Sequence, residues 1–434
     1  MKEEHSKINR RKFLGTVGAA GLASVFASAE SAVGMTEPSG TNPDVARRAQ
    51  ESKSPHVPQR KLGKTGTKVP QLTIGTATTN LIENQIILRK TLQWGVNCWD
   101  TATNYAGGNS ELGIGKYLTK DPAIRKRLFI ISKPPDIRTA LPDVADIERD
   151  LQKSLKRMNT EYIDLYLGVH NMFDSGQLTE ELGRWAKSAK KRELIRYFGF
   201  STHKNMAQSL AAAARLDWID AIMTAYNFRL MQNPEMQAAV EACHKAGIGL
   251  IAIKTQAAGP VAKWAGQAAK VETEQDKKLI GHFLKRGFTQ GQAKIKVVLQ
   301  DERFSSVCVG MENIALLRSN VAAVLDKAKL THEDIAVFKQ YAKATCSDYC
   351  AGCAHICDSA VPDALRPGRI SDIMRYLMYY NNYGEQDRAR ELFAQIPNNV
   401  RNNLLNLDYR RAEARCPQRM PITKLIAEAV GKLA

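Results

Sequence analysis

Beyond its first thirty residues the chain has no apolar run approaching the ~20 residues a membrane-spanning helix requires, so nothing downstream reads as a bilayer segment. It has no internal repeat with a period of about 20–50 residues, which excludes solenoids and propellers. No G-x-G-x-x-G follows the first strand-like run, "QLTIGTATTN", so an open doubly wound sheet would lack its phosphate-binding turn. The similar "GTVGAAG" near the N-terminus follows no strand and is set aside. Acidic residues are scarce: 44 Asp+Glu face 62 Lys+Arg, a formal charge of +18. Residues 61–330 carry most of the excess, with 39 basic against 26 acidic side chains. Such an excess suits a polyanionic small molecule, an anionic membrane surface, nucleic acid or simply a solvated basic face. No nucleic-acid-binding module is present, and no nucleic-acid partner is expected. With 434 residues, 44% hydrophobic and 24% charged, the chain is long enough for two or three globular domains.

The N-terminus reads as a targeting segment. "NRRKFLGTVGAAGLASVFASA" pairs Arg10 with Arg11, continues into a short Gly- and Ala-rich apolar stretch, and ends in the small-x-small pattern "ASA". Residues 1–29 resemble a twin-arginine (Tat) signal peptide; an ordinary secretory signal is the alternative. The resemblance implies the Tat export machinery as a partner and a periplasmic or cell-envelope location. Residues 30–58 are polar, rich in Pro, Ser and Gly, and without period, which predicts a disordered linker.

From residue 59 to 326 strand-like and helical patterns alternate. The apolar runs "QLTIGTA", "NCWDTA", "RLFIISK", "IDLYLGV", "YFGFST", "AIMTAYN", "GIGLIAIK" and "SVCVG" are separated by segments of helical period, such as "DVADIERDLQKSLKRMN" and "LTEELGRWAKSAKKRE". Eight strands alternating with helices predict an α/β fold, a (β/α)8 TIM barrel. Residues 327–434 read as a helical region holding a cysteine cluster.

Barrel enzymes place their chemistry where strands end. Asp100 closes "NCWD", Tyr105 follows in the next loop, Lys133 closes "RLFIISK" and His170 closes "IDLYLGVH". Taken singly, each has a plain structural reading: a turn acid, a packing phenol, a solvated lysine, a core histidine. Together they form a proton relay. A phenol near pKa 10 is a poor acid at neutral pH. A lysine ammonium beside it favours the phenolate, the acid orients the lysine, and the histidine positions a carbonyl.

"RKLGKTGTKVPQLTIGTAT", "WGVNCWDTATNYAGGNSELGIGKYL", "FIISK", "YLGVH", "YFGFSTH", "AYNF" and "VCVGMENIALLRSN" resemble aldo/keto reductases in the expected order. The resemblance implies NADP(H) lying extended across the C-terminal face of the barrel. It also implies a catalytic tetrad of Asp100, Tyr105, Lys133 and His170, with Tyr105 as general acid. It puts Ser201, Tyr226 and Asn227 near the nicotinamide, and Lys254, Gly310, Met311 and Asn320 along the phosphates and adenosine. Two departures stand out. Ile253 occupies a position where many relatives carry a stacking ring. Glu312 stands where a basic residue would grip a 2′-phosphate, which makes NAD plausible, although Arg318 is available for that phosphate. Lys254-Thr255 resembles the version found in iron-sulfur members.

Of the eight cysteines, Cys98, Cys243 and Cys308 fall in barrel segments and read as buried, inert thiols. "CSDYCAGCAHIC" spaces the next four as C-x3-C-x2-C-x3-C, and Cys416-Pro417 follows far downstream. The pattern resembles a bacterial ferredoxin run with one residue inserted in its first gap. It implies a ferredoxin-like tail with one [4Fe-4S] cluster. Zinc and disulfides are the alternatives. In two-cluster ferredoxins the fourth cysteine of a run serves the other cluster, which assigns Cys346, Cys350, Cys353 and Cys416 as ligands. Cys350, Cys353, Cys357 and Cys416 form a competing set.

The sequence thus reads as an exported NAD(P)H-dependent oxidoreductase acting on a small carbonyl or alcohol, with an iron-sulfur tail and room for a redox partner protein. The alternative is an exported, cofactor-binding regulatory or scaffold subunit with little turnover.

Overall fold

The computed structural model describes residues 55–434 except 78, 136–141, 258–272, 346–349, 362–368 and 384–385. The signal segment, the linker up to residue 54, and Cys346 lie outside the described residues. Residues 55–58, expected at the end of the linker, are part of the folded unit: Val57 is buried and its N–H donates to the carbonyl of Trp94.

The chain enters through a short antiparallel hairpin, β1 (Gln59–Lys61) and β2 (Lys68–Pro70). Eight strands follow: β3 (Leu72–Gly75), β4 (Cys98–Asp100), β5 (Phe129–Ser132), β6 (Ile163–Val169), β7 (Ile195–Thr202), β8 (Ala221–Ala225), β9 (Gly249–Ile253) and β10 (Phe304–Gly310). They close into a parallel barrel in chain order, with β10 pairing back onto β3. Each lies within or overlaps one of the eight apolar runs. Barrel strands are buried on both faces, so they appear as nearly unbroken apolar stretches rather than alternating ones; every residue of β6 is buried.

The helices between them are amphipathic. They are α1 (Gln85–Gln93), α2 (Asn109–Lys120), α3 (Val144–Met158), α4 (Glu180–Lys191), α5 (Met206–Ala213), α6 (Pro234–Lys245), α7 (Glu274–Lys285), α8 (Gln290–Leu299) and α9 (Ile314–Leu325). On α3 the buried residues Ile147, Leu151, Leu155 and Met158 recur at helical spacing and face the barrel. Asp143 caps its start by accepting from the N–H of Ala145, and Asn159 ends it in the left-handed conformation. Inside the barrel a second cluster includes Cys98, Ile131, Leu165, Leu167, Met223, Ile251 and Cys308, with Leu62 and Val69 from the hairpin region.

α10 (His332–Ala344) belongs to the barrel's packing, although the sequence boundary at 326/327 assigned it to the tail. Its Phe338 and Tyr341 join the barrel core, with the Phe338 ring stacked on Phe228 at 5.0 Å. The remaining tail helices are α11 (Ala354–Cys357), α12 (Ile370–Met378), α13 (Gln386–Ala394), α14 (Asn398–Arg401), α15 (Arg410–Arg415) and α16 (Ile422–Leu433). They have their own core, in which Ile373, Met374 and Leu377 of α12 meet Ile422, Ile426 and Leu433 of α16. None of the described helices is long and apolar enough to cross a membrane.

One buried charge sits against the grain of this packing. Lys294 on α8 is 2% exposed, with its ammonium 5.8 Å from the centre of the Phe228 ring. Burial, reinforced by the like charge of Arg229 and opposed by Asp276, pushes its pKa down to about 7. The folded value is depressed, so from about pH 7 up to the ordinary lysine range the unfolded chain binds the extra proton and stability rises with pH. Lys294→Met is therefore expected to stabilise the fold by about 1–4 kcal/mol below neutral pH. The gain should shrink toward pH 10. Urea unfolding of both proteins at pH 6 and pH 10 checks this; an equal gain at both would mean that Lys294 does not titrate in this range.

Candidate active site

The ends of β4, β5 and β6 lie side by side, and three of the four expected catalytic residues extend from them. Asp100 is the last residue of β4, Lys133 follows β5, and His170 follows β6. All three are nearly inaccessible, at 3%, 1% and 6% exposure. Lys133 Nζ donates to Asp100 Oδ1 at 2.6 Å and to the carbonyl of Thr101 at 2.6 Å. Tyr105 lies in the 3-10 turn Tyr105–Gly108 after β4, partly exposed, with its ring 4.5 Å from Lys133 Nζ and 6.0 Å from the His170 ring. The four side chains thus converge at the C-terminal mouth of the barrel.

Burial pushes the Asp100 carboxyl up from the ordinary carboxylate range, while the charge and hydrogen bond of Lys133 pull it back, as does the Cys308 thiol. His170 Nδ1 is 2.9 Å from the carbonyl of Pro134. A carbonyl only accepts, so Nδ1 carries a proton and Nε2 donates only when the ring is the imidazolium.

A supporting layer fixes the loop that carries Tyr105. Thr76 Oγ1 donates to the carbonyl of Asp100 at 2.7 Å, and Ser110 bridges the hydroxyls of Thr76 and Thr101 at 2.5 and 2.6 Å. Arg157 on α3 donates to the carbonyl of Thr103 at 2.7 Å and to buried Glu111 at 3.3 Å, which also accepts from Ser132. Ser110 and Glu111 lie within "YAGGNSELG", close after Tyr105. Arg157 gives no such signal, because it reaches the site only through the packing of α3.

The expected cofactor residues divide. Ser201, 1% exposed at the end of β7, accepts from the N–H of Asn171 at 3.0 Å and so adjoins the turn after His170. Lys254, just after β9, is partly exposed with φ +56°; Ile253 before it is also partly exposed. Gly310 and Arg318 are exposed, and a Cβ built at Gly310 meets nothing within 4 Å, so the space above the end of β10 is open. Tyr226, Met311, Asn227 and Asn320 are buried. The Tyr226 ring stacks on Phe304 at 4.2 Å and its hydroxyl donates to Asp301 at 2.6 Å. The Asn227 amide is used within the turn, donating to the carbonyl of Lys254 and accepting from the N–H groups of Arg229 and Leu230. Glu312 is partly exposed, and its carbonyl accepts from Asn84.

In the tail, Cys350, Cys353, Cys357 and Cys416 line one cavity, completed by apolar side chains including Ile370, Met374 and Met420. Burial pushes the first three thiols up, and the charges of Cys416 and Asp358 add to the shift of each. These four and the three barrel cysteines are all free. Among the described residues, no group of three or more His, Cys, Asp or Glu that could hold a metal ion is found.

A sequence model of the aldo/keto reductase family matches residues 70–343. The chain is 28% identical over 211 residues to the aldo-keto reductase AFTS1 of Alternaria alternata, spanning 42% of this chain and 57% of that protein. It is 25% identical over 319 residues to L-glyceraldehyde 3-phosphate reductase of Escherichia coli O157:H7, spanning 65% of this chain and 91% of that protein. Its fold matches aldo-keto reductase AKR11C1 from Bacillus halodurans with a TM-score of 0.54 at 22% identity, covering 67% of this chain and 98% of that one.

Proposed function

The chain belongs to the aldo/keto reductase family and is an oxidoreductase, and from that premise we propose that it reduces a small aldehyde or ketone with NADPH through Asp100, Tyr105, Lys133 and His170. The observation that carries this reading is the buried contact between Lys133 and Asp100 directly beneath the Tyr105 ring. When bound, NADPH supplies the hydride that reduces the carbonyl carbon. Tyr105 gives its proton to the carbonyl oxygen. The Lys133 ammonium stabilises the phenolate left behind, and Asp100 holds the ammonium in place. His170, with its orientation set by Pro134, donates to the substrate oxygen from Nε2 in its protonated form. Ser201, Lys254 and the open ground at Gly310 suit a dinucleotide lying over the strand ends. The first turn of α9 offers backbone N–H groups of the kind that hold phosphate. Exposed Arg318 favours NADP over NAD. The E. coli relative is named for a sugar-phosphate aldehyde, and the basic surface suits a phosphorylated carbonyl of that kind.

Removing the general acid tests the chemistry. Tyr105→Phe should fold and bind NADPH normally, yet lose about 10²–10⁴-fold in turnover of a carbonyl panel. Unchanged reduction would remove the tetrad from the mechanism.

The tail is read as the site of one [4Fe-4S] cluster on Cys350, Cys353, Cys357 and Cys416. A cavity lined by four thiols and hydrocarbon suits soft metal chemistry. A polynuclear cluster places metal and sulfide between the thiolates, so it needs them farther apart than a single ion does. This is the competing set of the sequence reading; the set with Cys346 uses a residue outside the described ones. Iron content and visible absorbance after anaerobic purification discriminate. Cys357→Ser and Cys416→Ser should lose the cluster while Cys346→Ser keeps it, and retention of iron in Cys416→Ser would overturn the assignment.

Export by the Tat route, in a folded state with cofactors already inserted, completes the reading. Lysine at both Arg10 and Arg11 should leave full-length protein in the cytoplasm. Continued export would indicate the general secretory route instead.

A further inference from the structure

The loop that follows β7 is held from both sides. On the barrel side, the Ser201 carbonyl accepts from the N–H of Met172 at 2.8 Å and Thr202 Oγ1 donates to the carbonyl of Met172 at 2.7 Å, so residues 201–202 are tied to the turn that follows His170. On the tail side, the next three residues are gripped by the cysteine segment and α12. Arg375, 4% exposed, donates to the carbonyl of His203 at 2.8 Å. Lys204 Nζ pairs with Asp372 at 2.7 Å, with only 8% of the lysine side chain exposed. The N–H of Asn205 donates to the carbonyl of Gly352 at 2.5 Å, and its side-chain oxygen accepts from the N–H of His355 at 3.1 Å. The same amide donates from Nδ2 to the carbonyl of Phe173 at 2.9 Å.

Two local conformations make this junction specific. Asn205 has φ +50°, in the left-handed region that Asn tolerates better than other side chains. Gly352 has φ +77°, and a Cβ there would lie 1.7 Å from the His203 carbonyl oxygen, so only glycine lets the two backbones meet. Gly352 lies between Cys350 and Cys353, and its own N–H points to Cys350 Sγ at 3.4 Å. The turn that lines the sulfur cavity is therefore the surface on which the Ser201 loop rests.

We propose that Asn205 is a positioning residue for the reductase reaction, coupling the cysteine cavity to the nicotinamide end of the active site. The inference rests on the reading that the cavity holds a metal cluster and that Ser201 adjoins the nucleotide. A metal bound by Cys350 and Cys353 fixes the turn between them. Through Gly352 and His355 that turn fixes Asn205, and through the loop behind Asn205 it fixes Ser201 and the backbone following His170. Coupling of this kind is reciprocal: if the metal organises the nucleotide site, the nucleotide must protect the metal.

The experiment uses full-length protein purified anaerobically, with NADPH and an iron chelator as probes. In the wild type, saturating NADPH should slow chelator-driven loss of visible absorbance by about three- to tenfold, the range that one or two hydrogen bonds supply. Asn205→Gly keeps the backbone conformation and the backbone bond to Gly352 but deletes the side-chain bonds to Phe173 and His355. It should retain its iron, raise the Kd for NADPH by a similar factor, and lose the protection. Gly352→Ala approaches the junction from the tail, removes no thiol, and should abolish protection likewise by forcing the turn off the His203 carbonyl; it decides the matter if Asn205→Gly does not fold and this variant keeps its iron. Equal protection in the wild type and either folded, iron-containing variant would overturn the role of Asn205. Wild-type protein without iron would instead overturn the cluster reading, and this inference would fall with it.

Discussion

The buried ammonium of Lys133 is the interaction on which the rest of the site depends. It is 1% exposed, 2.6 Å from Asp100 Oδ1, and the two charges sit at the end of an otherwise apolar barrel interior. Neither ion can be there alone, since truncating one partner of a buried pair costs about 3–5 kcal/mol by leaving the other uncompensated. The pair is formed only because β4 and β5 are neighbours in register, with Asp100 opposite Ile131 two residues before the lysine. The Thr101 carbonyl takes a second proton of the ammonium, and the hydroxyl chain of Thr76, Ser110 and Thr101 holds that turn of backbone. The barrel supplies the rigid frame in which the ammonium lies against the Tyr105 ring, 4.5 Å from its centre.

The tail solves a different physical problem with the opposite materials. Where the barrel mouth pairs charges, the tail cavity gathers thiols among hydrocarbon, and their burial raises the cost of ionising them without a metal. The two environments meet along residues 203–205, where buried Lys204 and Arg375 tie the units with directional bonds rather than with apolar area. Such a junction is sensitive to small displacements, because hydrogen bonds weaken steeply with misalignment.

What was legible in the chain follows from these materials. All eight barrel strands could be read, because strands buried on both faces are marked by continuous apolar runs, and Asp100, Lys133 and His170 were placed at strand ends by the same runs. The hairpin Gln59–Lys61 and Lys68–Pro70 gave no period, since its strands are three residues long and are held by the barrel floor. Tyr226 stands one residue past β8, and its ring stacks on Phe304 while its hydroxyl bonds to Asp301, contacts the sequence did not announce. Position along a strand is written in sequence, but the direction of a side chain past the strand end is set by packing. Among the cysteines, ferredoxin spacing selected Cys346, which lies outside the described residues, while the cavity shows Cys350, Cys353, Cys357 and Cys416 side by side.

The charge of the chain also takes on a different meaning once burial is known. Six cations in residues 61–330 are buried, Arg125, Lys133, Lys204, Arg229, Lys294 and Lys296, and against them stand five buried acids, Asp100, Glu111, Asp150, Asp164 and Asp276. Among the described residues the interior is therefore nearly neutral, and the basic excess of the barrel segment is carried where solvent and solutes meet it. A surface of one sign raises the local concentration of oppositely charged solutes and steers their approach. Both solutes in the proposed reaction, a phosphate-bearing nucleotide and a phosphorylated aldehyde, are anionic. The field of the barrel surface thus favours their encounter, while the Lys133–Asp100 pair on which the proposed chemistry rests stays buried beneath it.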